Sequence, residues 1–574
     1  MNAQTINAKN IADIYPLSPM QQGILFHSLL SPESGSYLPQ VCLTLNGNLE
    51  VDRFQQAWQQ VVDYHTSLRT AFYWEQRDQP FQVVYRHAQL PWDYQDWQSH
   101  SNETQSQQLN EFLERDRQQG FSLKTPPLMR ITLIRLAEQQ YQLVWTQHHL
   151  ILDGWSAALV LKDVLMTYRS LQQGTLPALQ GRPYTDYIAW LQNQDLTAAQ
   201  QYWQERLRHF TAPTLLPIGT IKSSLKNTAE DSSPVWQEQQ LLLNASLTTA
   251  LKTLASQHQL TLNTVIQGAI ALLLSRYCDT SDVVFGSTSS GRPASLTGVE
   301  SMVGLFINTL PVCVQVPEQI KLISWLQQLQ TQQAEALQYE YTPLSEIQTW
   351  SDLPQGTPLF ETLLVFENYP IDSSLLEATA DLKISQVRSI EWTHFPITIL
   401  VSAATNLSIT VKFDRHRFTP DRITRLLEHI QTLLKNITTN PHQPLGELTL
   451  LTPAEQQQIR EWNLTQTDSS HHHCLHELFE TQVEQTPDAI ALVYNDDHLT
   501  YAELNVRANQ LAHHLRSTGV QPETCVGIYL DRSLEMAIGI LAILKAGAAY
   551  VPLDPSYPSD RLAFMFQDSQ VQVL

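Results

Sequence analysis

Gln147-His148-His149-Leu150-Ile151-Leu152-Asp153-Gly154-Trp155-Ser156 is the stretch on which the reading of this chain turns. Before it, residues 141–147 run Tyr, Gln, Leu, Val, Trp, Thr, Gln, which predicts a buried strand. After Gly154, the residues Trp155, Ala158, Leu159, Val164, Leu165 and Tyr168 recur near helical spacing. The histidine pair therefore sits where a strand ends, and the Asp-Gly turn leads into a helix. A neutral imidazole can take a proton near neutral pH or hold a nucleophile in place. A histidine at a strand end can face a crevice. Asp153 is placed to brace the local backbone, and Gly154 lets a substrate or another backbone come close. A His-His pair taken alone is more often a hydrogen-bonded core feature than a catalyst, so the surrounding sequence has to decide.

Four further blocks stand around this one. The first is Leu17–His27, where Ser18 is a predicted helix N-cap and Pro19 the first helical residue. The second is Tyr64-His65-Thr66-Ser67-Leu68-Arg69-Thr70-Ala71-Phe72, and the third is Tyr184–Trp190. The fourth is Val303-Gly304-Leu305-Phe306-Ile307-Asn308-Thr309-Leu310-Pro311. With the His-His-x-x-x-Asp-Gly core, these blocks in this order resemble the condensation domains of nonribosomal peptide synthetases, within the chloramphenicol acetyltransferase-like superfamily. The sequence departs from the family pattern at Tyr64, where an arginine is usual, and at Cys313, which also stands where the family carries an arginine.

The resemblance implies an α/β fold of two chloramphenicol acetyltransferase-like lobes, residues 15–180 and 181–455, meeting as a V-shaped pseudo-dimer around a tunnel. It makes His149 the catalytic residue, either as general base or by orienting the attacking amine and stabilising the charged intermediate. His148 is supportive. Asp153 is expected to be structural and paired with an arginine, for which Arg69 is the candidate. Gly154 lies where substrate passes, Asn308 near the tunnel, and Trp155 and Ser156 support the loop. The implied reaction is attack of an acceptor aminoacyl-thioester amine on a donor thioester. Both would be delivered on phosphopantetheine arms by an upstream donor and a downstream acceptor carrier protein, with no cofactor held by the chain itself. Trp155, Ser156 and the Ser18-Pro19-Met20-Gln21-Gln22 opening point to a donor ending in a D-configured residue. His148 argues against the heterocyclisation subtype, which has aspartate there. The alternatives are a non-catalytic carrier-protein gate or docking module and a starter-type N- or O-acyltransferase; the intact His148, His149, Asp153 and Gly154 argue against a gate.

Composition sets the outer limits. The chain has 574 residues, 43% of them apolar, and a formal charge of −21. Such length implies more than one packed unit. Such acidity argues against nucleic acid and anionic membrane as partners. Five scattered cysteines read as reduced thiols of a cytoplasmic protein, and the chain is expected to be a monomer. The apolar runs Ile266–Leu274 and Ala537–Leu544 are too short to span a membrane and predict buried helices. Residues 1–14 form a polar lead, expected to dock to an upstream synthetase.

The remaining candidates carry less. Gly286–Pro293 resembles a phosphate-cradling loop but lacks its lysine, so it is not read as an ATP site. The tract His471-His472-His473-Cys474 lies in a linker, residues 456–475, and is not read as a metal site. His149 with Asp153 lacks a third metal ligand at a convincing spacing. Residues 476–574 show a βαβ-like pattern. Leu499–Leu504 and Leu544–Pro555 resemble the first blocks of an adenylation domain, which is expected to be truncated at Leu574 before its ATP loop.

Overall fold

The computed structural model describes residues 10–32, 35–75, 79–175, 179–219, 236–367, 382–403, 406–465 and 473–574. The chain divides into two compact units, residues 1–457 and 458–574.

The first unit holds two main sheets. One has five strands in the order Leu382–Ile390, Gln40–Gly47, Gln140–Gln147, Met129–Ala137, Trp92–Asp96. All neighbours are antiparallel except the last pair. Successive side chains in a strand point to opposite faces. Here that sends Leu43, Leu45, Leu143 and Trp145 into a core shared with helices Val51–Tyr64 and Gly154–Gln172. Cys42, Ile134 and Val144 face helix Asn102–Gln119 on the other side. Trp58 is fully buried, edge-on to Phe54 and, at 5.1 Å, to Trp145.

The other sheet has six strands in the order Asn308–Gln315, Asp282–Ser289, Thr362–Glu367, Ile397–Ala403, Leu407–Asp414, Trp236–Leu242. Its two central pairings are parallel. Ile399, Val401, Ile409 and Val411 point into the core formed with helices Ala245–Gln257, Leu262–Cys278, Leu322–Ala336 and Pro420–Thr439. Their neighbours Leu400, Ser402, Ser408, Thr410 and Lys412 point the other way and line a cavity.

Several predicted elements stand as expected. Ser18 caps helix Pro19–Leu30 in a reciprocal capping box with Gln21, and Asp153 caps helix Gly154–Gln172. The run Ile266–Leu274 is buried throughout within helix Leu262–Cys278. Two expectations need revision. The polar lead does not extend to residue 14: Ile11–Pro16 is a strand paired with Phe81–Tyr85, while residues 1–9 lie outside the described residues. The division at 180/181 does not separate the sheets either. Leu382–Ile390, from the expected second lobe, hydrogen-bonds along Gln40–Gly47 and forms the edge of the first sheet.

In the second unit, strands Cys525–Ile528 and Ala549–Pro552 are parallel and joined through helix Leu534–Lys545, the βαβ pattern read from the sequence. A hairpin, Ile490–Tyr494 with Asp497–Thr500, precedes helix Tyr501–Ser517. Among the described residues no helix is long and apolar enough to cross a membrane.

Replacing Trp58 by alanine is expected to cost the first unit about 3–5 kcal/mol. Denaturant unfolding followed by far-UV circular dichroism should show its transition at a lower midpoint with the second unit's unchanged.

Candidate active site

The histidine strand ends at Gln147, and its continuation is pinned from several directions. His148 N–H donates to the Leu128 carbonyl at 2.9 Å and His149 N–H to the Tyr37 carbonyl at 3.0 Å. Asp153 N–H donates to the Gly304 carbonyl at 3.1 Å. The loop is therefore held by the strands on one side and by the 303–311 block on the other.

Asp153 is fully buried. Its Oδ1 accepts from Ser156 N–H at 2.7 Å, and its Oδ2 from Phe306 N–H at 2.9 Å. Ser156 is equally buried, and its Oγ donates to the Gly304 carbonyl at 2.7 Å. The arginine beside Asp153 is Arg292, with Nη2 at 3.5 Å from Oδ1 and 2.8 Å from Ser156 Oγ. This corrects the assignment of Arg69. The Arg69 guanidinium is already used by the carbonyls of Val62, Tyr85 and Arg86, which tie it to helix Val51–Tyr64 and to the end of strand Phe81–Tyr85. Arg292 comes from the stretch that resembled a phosphate loop. Gly291 makes its approach possible: with φ of +60°, it passes so close that a Cβ would lie 1.7 Å from the Phe306 carbonyl oxygen. Arg292 also donates to the Met302 carbonyl at 3.0 Å and lies 4.0 Å over the Phe306 ring. The Trp155 ring lies 5.4 Å from the Arg292 guanidinium and donates Nε1–H to the Glu300 carbonyl.

Both histidines are buried, but they are in different states. His148 Nδ1 accepts from Leu150 N–H at 3.1 Å, so the proton of this ring sits on Nε2, 3.4 Å from Ser28 Oγ. Burial and the neighbouring His149 push its pKa down to about 3, so His148 is neutral at physiological pH. His149 Nδ1 lies 2.9 Å from the Leu152 carbonyl and Nε2 lies 2.7 Å from Glu391 Oε1. A carbonyl only accepts, so Nδ1 carries a proton. Nε2 facing a carboxylate at that distance requires a second proton between them. The raised His149 pKa and the lowered Glu391 pKa favour that proton on the ring, as an imidazolium paired with a carboxylate. Burial by itself lowers the His149 pKa, but the charge and hydrogen bond of Glu391, the Leu152 carbonyl and the Asp153 charge together outweigh it and raise the pKa. Burial works to raise that of Glu391, and His149 with Lys412 outweighs it, holding the carboxyl down at about 2.

Glu391 was not singled out in the sequence. It follows directly on the edge strand Leu382–Ile390, 242 residues from His149. Lys412 Nζ donates to its carbonyl at 2.8 Å, and Tyr37 N–H donates to that of Trp392 at 3.0 Å. Tyr37 adopts φ of 63°, a strained conformation for a non-glycine residue. Its ring sits edge-on to His149, and its hydroxyl is hydrogen-bonded to His394. His394 in turn stacks on His27 at 3.8 Å.

His149 and Glu391 open onto a cavity of about 470 Å³ between the two sheets, which Gly154 also lines. Asn308, expected near a tunnel, is not on this cavity's wall. Its amide is spent on the carbonyls of Glu340 and Thr342, both at 2.7 Å, and so fixes the turn there. His149 and Asp153 do not converge as metal ligands, because the Asp153 oxygens are taken by Ser156, Phe306 and Arg292. In the second unit, Cys474, His476 and Glu477 bring ligand atoms within 4.8 Å of one another. His471 and His472 lie outside the described residues.

The condensation domain family matches residues 11–460. The chain belongs to that family. Its members are the acyltransferases that form peptide bonds in nonribosomal peptide synthetases. Residues 479–574 match the AMP-binding enzyme family, in line with the partial adenylation segment expected from the sequence. Two of the polypeptides that make up linear gramicidin synthase of Brevibacillus parabrevis are 45% and 46% identical to this chain, over 99% and 98% of its length. The chain spans only 7% and 11% of the length of these two relatives. The nonribosomal peptide synthetase FmoA3 in its AMPPNP-bound form shares the fold with a TM-score of 0.76 at 19% identity, over 98% of this chain and 57% of that one. The four-domain synthetase holo-AB3403 does so with a TM-score of 0.71 at 21% identity, over 98% and 43%.

Two measurements test this condensation site. In an NMR titration the His149 imidazole should titrate above 6.5, and Glu391→Gln should bring it below that value. The pair stabilises the fold fully between the ordinary carboxylate and histidine ranges; the contribution is lost as pH rises through the raised His149 pKa, and as pH falls toward about 2. Asp153→Ala would leave Ser156 N–H and Phe306 N–H without their acceptor and the Arg292 guanidinium without its countercharge. It is expected to destabilise the unit by about 3–5 kcal/mol, read as a large drop in its thermal midpoint.

Proposed function

We propose that this condensation domain joins an acceptor aminoacyl thioester to a donor thioester, both delivered on phosphopantetheine arms of carrier proteins, and that His149 is its central residue. The observation that carries this is His149, fixed through both ring nitrogens by the Leu152 carbonyl and Glu391, at the wall of a cavity of about 470 Å³. The nitrogen–carbon bond forms as the carbon–sulfur bond breaks, and the donor's thiol leaves. Thioesters are already activated, so holding the two reactants together supplies much of the acceleration. A fixed positive imidazolium stabilises charge that develops beside it at no cost in reorganisation. With Nε2 engaged by Glu391, His149 orients and stabilises rather than abstracting a proton in this arrangement. Asp153, Ser156 and Arg292 act one layer behind, holding the loop. We also propose a donor ending in a D-configured residue; Trp155 and Ser156, which suggested it, are structural here, so this reading rests on the family resemblance.

The test is an intact-mass assay of dipeptidyl transfer between a loaded donor carrier protein and a loaded acceptor carrier protein. His149→Ala should slow transfer by about 10²-fold or more without abolishing it. An unchanged rate would remove His149 from the reaction. No product from several donor and acceptor pairs, with carrier binding intact, would make the chain a gate or docking module. Exchanging L for D donors decides the stereochemical preference.

A further inference from the structure

The His149 cavity is lined by apolar side chains and by a set of acidic ones. Glu238, Glu367 and Glu391 line it, with Lys412 and the His149 imidazolium as cationic groups among its described lining residues. Only Glu391 is fixed against His149. Its Oε1 faces Nε2 at 2.7 Å. Among the described residues no hydrogen bond engages Oε2, and 34% of the side chain remains exposed. Its main chain is clamped at two successive carbonyls, by Lys412 and by Tyr37. Glu367 differs: burial and the charge of Glu391 raise its pKa against the pull of Lys412, so it carries its charge less readily.

An acceptor amine is an ammonium over much of the physiological range, since α-amino groups titrate at about 7.7–8.0. It needs a partner that tolerates its charge and keeps its nitrogen beside the donor carbonyl. An imidazolium whose two N–H groups already donate, to Glu391 and to the Leu152 carbonyl, offers no acceptor for it. A carboxylate with one oxygen on that imidazolium and the other toward the cavity does.

We propose that Glu391 is the acceptor-amine site: its Oε2 binds the α-ammonium of the incoming aminoacyl thioester and keeps an N–H hydrogen bond as the amine attacks. The ammonium first gives one proton to solvent. As the carbon–nitrogen bond forms and the carbon–sulfur bond breaks, the nitrogen gives up a second proton, which ends on the departing thiolate sulfur. Oε1 stays on His149 throughout, so the ring keeps the carboxylate ionised and aimed. Among the described residues the titratable groups that face Glu391 are His149, Lys412, Glu367 and Tyr37.

This rests on the condensation reading, and the experiment keeps the two separable. Two non-reactive ligands are compared by calorimetry with the full chain: the aminopantetheine amide of L-leucine and that of the α-hydroxy acid with the same skeleton. Leucine suits the apolar lining residues Leu43, Trp145, Leu161 and Leu400. The wild-type chain should bind the amine at least about tenfold more tightly than the hydroxy ligand, a typical margin for a charge-assisted contact. Glu391→Gln should bring the two within about twofold, while Glu367→Gln keeps the preference. Circular dichroism and unfolding midpoints establish that each variant folds. No amine preference in the wild type, its survival in Glu391→Gln, or its loss in Glu367→Gln alone would overturn the proposal while leaving dipeptidyl transfer to stand on its own assay. Absence of transfer by the wild type would remove the condensation reading, and this inference with it.

Discussion

Everything at this site hangs from one buried carboxylate. Asp153 accepts backbone N–H groups from two segments far apart in the chain, Ser156 and Phe306, and a guanidinium from a third, Arg292. An ionised group at full burial is tolerated only when it is paired and hydrogen-bonded. Satisfying it draws the histidine loop, the 290–292 turn and the 303–306 segment to a single point. That convergence sets where His149 stands relative to the second sheet. The aspartate three residues before Ser156 is thus both a helix cap and a fastening between the two halves of the unit.

His149 meets Glu391 for a different reason. Both its ring nitrogens are claimed, so its protonation and its orientation are fixed together. In a cavity with limited water, a paired imidazolium and carboxylate form a preorganised dipole and need no rearrangement when charge appears beside them. His148 has the opposite fate. Its ring accepts a backbone N–H and is buried next to a positive neighbour, so it stays neutral and holds the helix Pro19–Leu30 close through Ser28.

What could be read from the sequence follows distance along the chain. The strand, the histidine pair, the Asp-Gly turn and the helix behind it are contiguous, and each carries a local signal. The N-cap at Ser18 and the buried helix at Ile266–Leu274 were legible for the same reason. Arg292 and Glu391 were not, because a buried ion pair leaves no local pattern. Arg292 sat inside a glycine- and serine-rich stretch whose composition suggested phosphate, while its true role depends on Gly291 touching the Phe306 carbonyl. Arg69, at a better-known position, turned out to be occupied by three carbonyls. Helix Asn102–Gln119 escaped notice because it buries only Gln105, Leu113 and Asp116, too few for a helical apolar stripe. The strand Ile11–Pro16 shows no alternation of buried and exposed residues to read, since only Tyr15 in it is buried.

The edge strand Leu382–Ile390 has a consequence for how the chain reaches its native state. The sheet that carries the histidines is incomplete until residues synthesised long after them arrive to cover Gln40–Gly47. Until then, that strand presents an open row of backbone donors and acceptors, the kind of edge that pairs with other chains. A fragment ending near residue 180 would contain the whole His-His-x-x-x-Asp-Gly loop and yet be poorly suited to exist alone. The first lobe is a unit of architecture but not of folding, and its assembly is a long-range closure of the kind that is slow.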